Sequence, residues 1–100
     1  MGPASVAQYE AKIDFLKKLG KRIVHCRKVR EISQKELAEI IDINPTALRR
    51  IEKGHVNTSI FMLKRIADAL DLELCALLSF DCELENECVK YKDLYKLSQF

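Results

Sequence analysis

The chain has 100 residues, of which 48% are hydrophobic and 32% are charged. That length fits one small domain and excludes most multi-domain enzymes, and the composition favours a folded core over wholesale disorder. The 17 basic and 15 acidic side chains leave a net charge of +2, which by itself indicates no particular partner. Only 3 Gly and 2 Pro accompany many Leu, Ile, Lys and Glu residues, so the composition favours helices.

The sequence predicts no membrane segment, metal or other cofactor. It has no apolar run of about 18 residues, and its N-terminus lacks the basic start and apolar stretch of a signal peptide. The four Cys form no C-x-x-C pair, and His25 and His55 sit at no metal-ligand spacing. We expect a cytoplasmic protein with reduced thiols, in which Cys26 and Cys75 are buried as small hydrophobic side chains.

The first predicted helix opens at a capping box formed by Ser5 and Gln8. Apolar residues then recur at helical spacing as far as Cys26, and the helix is expected to end by Arg30. Gly20 lies inside this stretch, so one bent helix and two shorter helices are both open.

Two short helices follow, each with its own start signal. Ser33 and Glu36 form a second capping box, and Asn44-Pro45 reads as an N-cap followed by proline at the first helical position. Gly54 is expected to end the third helix. Residues 55–58 form a predicted loop.

Ser59 is the expected cap of a fourth helix, and a short fifth helix is expected over residues 73–78. No segment before Asp81 alternates convincingly with a period of two, so the fold class is all-α. In the tail, acidic residues alternate with others over residues 81–88, which fits either a short strand or an acidic linker. Tyr91, Leu94, Tyr95 and Ser98 lie at helical spacing.

Two short helices joined by a tight turn form the helix-turn-helix pattern. Residues 32–38, 48–54 and 63–70 together resemble the phage-repressor, Cro/cI-type helix-turn-helix family, also called the xenobiotic-response-element family. The match covers residues 16–78 and implies a five-helix lambda-repressor-like DNA-binding domain. Residues 1–15 would then be an N-terminal helical extension, and residues 79–100 a short C-terminal tail that is a candidate dimerisation element.

The resemblance implies that the helix from Asn44 to Lys53 enters the major groove. At about 100° per residue, Leu48, Ile51 and Asn44 fall on one side of this helix. Thr46, Arg50 and Lys53 fall on the opposite side, and Arg49 flanks them. Arginine pairs bidentately with guanine, so Arg49 and Arg50 are the candidates for reading bases, with solvated or phosphate-binding arginines as the alternative. Thr46 is a further candidate for a base or phosphate contact.

The resemblance also implies phosphate contacts and one structural ion pair. Gln34 matches a glutamine that contacts phosphate and supports the recognition helix; a first-turn glutamine without a partner is the alternative. The remaining phosphate candidates lie at the ends of the recognition helix and in the loop after it: Asn44, Lys53, His55, Asn57 and Thr58. Arg27 and Glu52 match a pair that ties helix 1 to the recognition helix.

The chain departs from the family at positions that commonly hold glycine. Glu31, Asp42 and Asp71 stand there instead. Asp tolerates the left-handed conformation better than most residues, so another shape is expected only for the turn at Glu31. Pro45 replaces an often polar residue and leaves only apolar contact to a base.

We therefore predict a sequence-specific double-stranded DNA-binding transcriptional regulator, a repressor that acts as a homodimer on a palindromic operator. No catalytic arrangement is present, so no enzyme is expected. An antitoxin of a toxin–antitoxin pair and a protein-interaction module without DNA binding are the alternatives. The tail is expected to form the dimer interface, to cap its own domain, or to dock a separate protein.

The charges divide unevenly along the chain. Residues 1–78 carry 14 basic and 10 acidic side chains, whereas residues 79–100 carry 3 and 5. The stretch from Phe15 to Arg30 holds seven Lys or Arg and no acid. The acidic tail thus hides the basic character of the predicted DNA-binding region and is expected to lie away from DNA, because its carboxylates would repel phosphate.

Overall fold

A computed structural model describes residues 3–81 of the chain, and the side chains of residues 6–80. All the regular structure within those residues is helical, which confirms the predicted all-α class. The helices are α1 (Pro3–Val29), α2 (Gln34–Ile40), α3 (Pro45–Glu52), α4 (Ile60–Ala69) and α5 (Leu74–Leu78), followed by a 3-10 turn at Ser79–Asp81. The predictions made for residues 82–100 lie outside the described residues.

The first helix is one continuous element. α1 passes through Gly20 without a break. The sequence left open one bent helix or two shorter helices, and the prediction of two helices is wrong. The expected capping box at Ser5 is also wrong, because α1 begins two residues earlier, at Pro3. The helix therefore extends well beyond the part that packs in the core, which begins at Leu16.

The starts of the next three helices follow the capping signals in the sequence. Ser33 Oγ accepts a hydrogen bond from the Glu36 amide at 3.0 Å, and the Glu36 side chain accepts from the Ser33 amide. Asn44 Oδ1 accepts from the Thr46 amide at 2.7 Å, and Ser59 Oγ from the Met62 amide at 3.1 Å. Each side chain satisfies an amide that has no partner within its helix, which fixes where the helix begins.

Three helices end at a non-glycine residue in the left-handed conformation. The φ angles are 58° at Glu31, 56° at Asp42 and 56° at Asp71. The expectation of another shape at Glu31 is therefore wrong. The Ile32 amide donates to the Arg27 carbonyl and the Glu31 amide to the Lys28 carbonyl, so the closing bonds of a Schellman motif hold the turn in this shape.

The core lies between α1, which packs mainly against α3 and α5, and the four shorter helices. Its fully buried side chains include one or more from every helix: Ile23, Leu37, Leu48, Ile66 and Leu77. Cys26 is buried as predicted, but Cys75 is exposed, because α5 presents Leu77 rather than Cys75 to the core.

The described chain ends beside α1. The ring of Phe80 packs against that of Phe15, with 5.2 Å between their centroids. Within residues 3–81, no helix is long and apolar enough to cross a membrane, and no group of three or more His, Cys, Asp or Glu is placed to hold a metal ion.

Candidate nucleic-acid interface

The helix α3 presents a basic face to solvent. Leu48 and Ile51 are buried, while Thr46, Arg49, Arg50 and Lys53 are exposed. The opposition follows from the 3.6-residue period, since the buried and exposed residues lie on opposite sides of the helix. The candidate base-reading side chains are therefore together on one accessible surface, and they carry positive charge without an acid among them.

The start of α3 is fixed by Asn44 and Pro45. Asn44 is the N-cap and uses its side-chain oxygen to accept from the Thr46 amide, and Pro45 occupies the first helical position. Both side chains are exposed. Asn44 therefore has a local structural role whether or not it also contacts phosphate.

Glu52 is the anchor at the other end of α3. Its carboxylate is buried, with the residue 8% exposed, and it accepts from Arg27 Nε at 3.0 Å and from Arg27 Nη2 at 3.2 Å. Arg27 Nη1 also donates to the Ile32 carbonyl at 3.1 Å. Arg27 thus joins three elements: α1, α3 and the turn that precedes α2. The bidentate pair therefore fixes the orientation of the exposed face of α3.

Gln34 completes the same network. Its Nε2 donates to Glu52 Oε1 at 2.8 Å, which ties the first residue of α2 to the last residue of α3. Gln34 therefore has a partner, contrary to the alternative in which it had none. The bond supports the recognition helix directly, and a phosphate contact by Gln34 stays a prediction.

A close backbone approach joins α1 to α3 at Gly20. A Cβ placed on Gly20 would lie 2.0 Å from the Glu52 carbonyl oxygen, so any side chain there would force the helices apart. In the sequence alone, Gly20 indicated only a possible interruption of the helix. The signal for its role was present, because a glycine inside a helix is destabilising and usually has a packing reason.

The loop after α3 starts at a second glycine contact. Gly54 has φ of 76°, and a Cβ there would lie 2.7 Å from the Lys17 backbone nitrogen. The first residue of this loop therefore packs directly against the backbone of α1. The candidate phosphate contacts in this loop are all at least partly accessible: His55 and Asn57 are exposed and Thr58 is half-buried.

Two further arginines have structural partners that sequence reasoning missed. Arg22 donates from Nε and Nη2 to the Ala76 carbonyl at 3.2 and 3.1 Å, and Arg30 donates from Nη2 to the Asp71 carbonyl at 3.2 Å. All three bonds join residues more than 40 positions apart in the sequence, so no local pattern predicts them. They attach α1 to the turn and helix that follow α4.

Comparison with known proteins supports the same organisation. A helix-turn-helix family model, HTH_3, matches residues 26–77. An immunity repressor protein of Bacillus phage phi105 is 30% identical over 73 residues, which are 73% of this chain and 51% of the repressor, so the chain spans about half the length of that relative.

Solved structures share the fold. The restriction-modification controller protein C.AhdI from Aeromonas hydrophila is 31% identical, with a TM-score of 0.60 over 62% of this chain and 94% of that protein. The clp gene regulator ClgR from Corynebacterium glutamicum, at 22% identity and a TM-score of 0.66 over 83% of this chain and 88% of its own, is similar in fold. The family match and the shared arrangement of helices show that the chain belongs to the helix-turn-helix family and has its lambda-repressor-like, five-helix fold.

Proposed function

We propose that this protein is a sequence-specific, double-stranded DNA-binding transcriptional repressor, which acts as a homodimer on a palindromic operator. The observation that carries the proposal is the exposed basic face of α3, held in a fixed orientation by the bonds of Arg27 and Gln34 to Glu52. A rigid helix whose exposed face carries arginines suits the major groove, where the guanidinium group pairs with guanine O6 and N7. The names of the phi105 immunity repressor and of the controller protein C.AhdI support control of transcription.

The proposed contacts divide by chemistry. Arg49, Arg50 and Thr46 would read bases, because they lie on the exposed face of α3. The proposed phosphate contacts lie at the start of α2, at the two ends of α3 and in the loop after α3, and they would position the protein without reading sequence: Gln34, Asn44, Lys53, His55, Asn57 and Thr58.

Residues 16–78 form the proposed reading domain, and the segments on either side of it provide the proposed dimer contact. Val6 and Tyr9 on α1 are 60% and 64% exposed, and Phe15 is also exposed beside Phe80. Apolar side chains projecting from a soluble domain in this way suit burial in an interface. Two subunits related by a two-fold axis would place their recognition helices on half-sites about 34 Å apart.

Selection of bound sites from random duplex DNA tests the proposal. We expect an enriched palindrome, and sedimentation should give the mass of two chains on one selected duplex. Enrichment of a non-palindromic half-site bound by one chain would contradict the homodimer, and failure to enrich any sequence would contradict sequence-specific binding.

One observation favours a second function, a protein-interaction module without DNA binding. Ile60 and Phe61, at the start of α4, are 67% and 71% exposed, which is unusual for such large apolar side chains. The salt dependence of binding separates the two functions. Association with DNA through several phosphates weakens steeply as salt rises, whereas apolar docking of a protein does not.

A further inference from the structure

Three exposed lysines between Phe15 and Arg30 have no hydrogen bond or ion pair among the described side chains, which are those of residues 6–80. They are Lys17, Lys21 and Lys28. The other four basic side chains between Phe15 and Arg30 have protein partners: Lys18 pairs with Asp14 at 3.1 Å, and Arg22, Arg27 and Arg30 bond to Ala76, Glu52 and Asp71 as described above. Within the described residues, those four cations have protein partners and these three lysines remain available to a ligand.

The three lysines form a straight row along α1. With 3.6 residues per turn, Lys21 and Lys28 lie within about 40° of Lys17 around the helix axis. The rise of 1.5 Å per residue puts the ends of the row about 16 Å apart. A row of this kind presents one line of ammonium groups rather than charges scattered around the helix.

The row lies nearer to the side of α1 that adjoins α3 than to the side that adjoins α5. Gly20 marks the side toward α3, because its missing side chain lets the Glu52 carbonyl approach, and Lys17, Lys28 and Lys21 lie about 60°, 80° and 100° from it around the helix axis. The backbone of Lys17 packs against Gly54, at the start of the loop after α3. Phe15 and Arg22 instead point to the other side of α1, toward Phe80 and Ala76. The row thus borders the surface proposed to meet DNA.

The charges around the row favour an anionic partner. Arg27 pairs with the buried carboxylate of Glu52, so the nearest acid of α3 has a cationic partner. The exposed side chains Arg49 and Lys53 add positive charge on α3, and Lys53 precedes Gly54, which packs against the backbone of Lys17. At the N-terminal end of the row, Asp14 lies one turn before Lys17 and pairs with Lys18, and Glu10 lies on the same line two turns before Lys17. These two acids mark the end of the basic surface.

We propose that Lys17, Lys21 and Lys28 form a second phosphate-binding row, which grips the DNA backbone flanking the bases read by α3. The inference rests on the proposed DNA-binding function and adds to it a contact from α1. Lysine suits this role, because its ammonium is a flexible point charge that attracts phosphate without selecting a base.

The test compares two double variants with the same loss of charge. Lys17→Gln/Lys21→Gln removes two members of the row. Lys12→Gln/Lys64→Gln is the matched control, since Lys12 lies on the opposite side of α1 and Lys64 pairs with Asp68 on α4. All four lysines are exposed, so thermal unfolding should stay close to that of the parent protein.

Binding is measured by fluorescence anisotropy on the selected duplex over a range of salt concentrations. The row variant should reduce the slope of log K against log salt by about 2, or about 0.9 for each lost contact, with the selected motif unchanged. Shortening the duplex on both sides of the selected site should weaken its binding by the parent protein. The parent protein and the row variant should then bind the shortened duplex with similar affinity. The control should keep the parent slope.

If the row variant and the control had the same slope of log K against log salt, the proposed phosphate contacts of the row would be contradicted. The proposed DNA-binding function would not be affected. If the parent protein bound no duplex at all, the proposed function and the row would fail together. A slope change accompanied by a changed motif would also contradict the row, because phosphate contacts carry no direct sequence information.

Discussion

The backbone of Gly20 lies directly against the carbonyl group of Glu52. A Cβ at position 20 would be 2.0 Å from that oxygen and 2.6 Å from the carbonyl carbon, distances that real Cβ atoms do not reach. The same residue Glu52 bonds through its side chain to Arg27, two turns further along α1. The last residue of the proposed recognition helix is therefore held to α1 at two points, by a steric fit and by an ion pair.

Replacing Gly20 by Ala should destabilise the protein even though alanine is the better helix former. Alanine gains about 1 kcal/mol in helix propensity over glycine. Its side chain would separate α1 from α3 and disturb the packing around Leu19, Ile23 and Ile51. Overpacking of this kind typically costs about 1–3 kcal/mol, which is larger than the gain. Urea unfolding followed by circular dichroism would measure the change. Lys21→Ala, at the exposed neighbouring position, should leave the midpoint nearly unchanged, and a Gly20→Ala protein as stable as this control would contradict the proposed contact.

The pair Arg27–Glu52 should show strong coupling. Its side chains are 12% and 4% exposed, so Arg27→Met or Glu52→Gln alone leaves a partly or fully buried group without its partner, at a cost of up to about 3–5 kcal/mol. The double variant should lose much less than the sum of the two, since neither charge then remains uncompensated. Additive losses in a double-mutant cycle would show that the pair contributes no specific interaction. Site selection at a temperature where the single variants are folded should return the parent motif.

Replacing Glu31 by Gly should stabilise the protein. Its φ of 58° strains a non-glycine residue by about 1–2 kcal/mol, whereas glycine adds about 0.5–1 kcal/mol of unfolded-state entropy, so the net gain is about 0.5 kcal/mol. Glu39→Gly makes the same chemical change at an exposed helical position in the last turn of α2 and should cost up to about 1 kcal/mol. Thermal unfolding should therefore move in opposite directions for the two variants, and a loss of stability in both would show that the turn at Glu31 carries no strain.

Local signals in the sequence predicted most of the fold. Ser33, Asn44 and Ser59 each form a bond with an amide two or three residues away, so a short motif contains all the information that the cap needs. The turn at Glu31 could not be predicted in this way. Its conformation is set by the bonds that close the end of α1 and by the packing of Ile32, not by the preference of glutamate.

Long-range contacts of the candidate site were predicted only where a family resemblance supplied them. The pairing of Arg27 with Glu52 came from that resemblance, and no spacing rule gives it. The bonds of Arg22 and Arg30 to distant carbonyls have no sequence signal, because a carbonyl acceptor is present at every residue. Counting the basic residues of α1 therefore overestimates the charge available to DNA, since the structure leaves only some of them without a protein partner.

Arg50 and Lys53 should have separable effects on DNA binding, although both are exposed cations of the α3 region. Arg50→Ala should weaken binding to the selected site by about 1–3 kcal/mol and relax the preference at one base position, because a bidentate contact to guanine is lost. Lys53→Ala should weaken binding to all sequences alike and lower the salt slope by about 1, because a phosphate contact is lost. Anisotropy titrations on the selected duplex and on single-base variants measure both effects. An unchanged motif for Arg50→Ala would exclude base reading by this residue, and an unchanged slope for Lys53→Ala would remove Lys53 from the phosphate contacts.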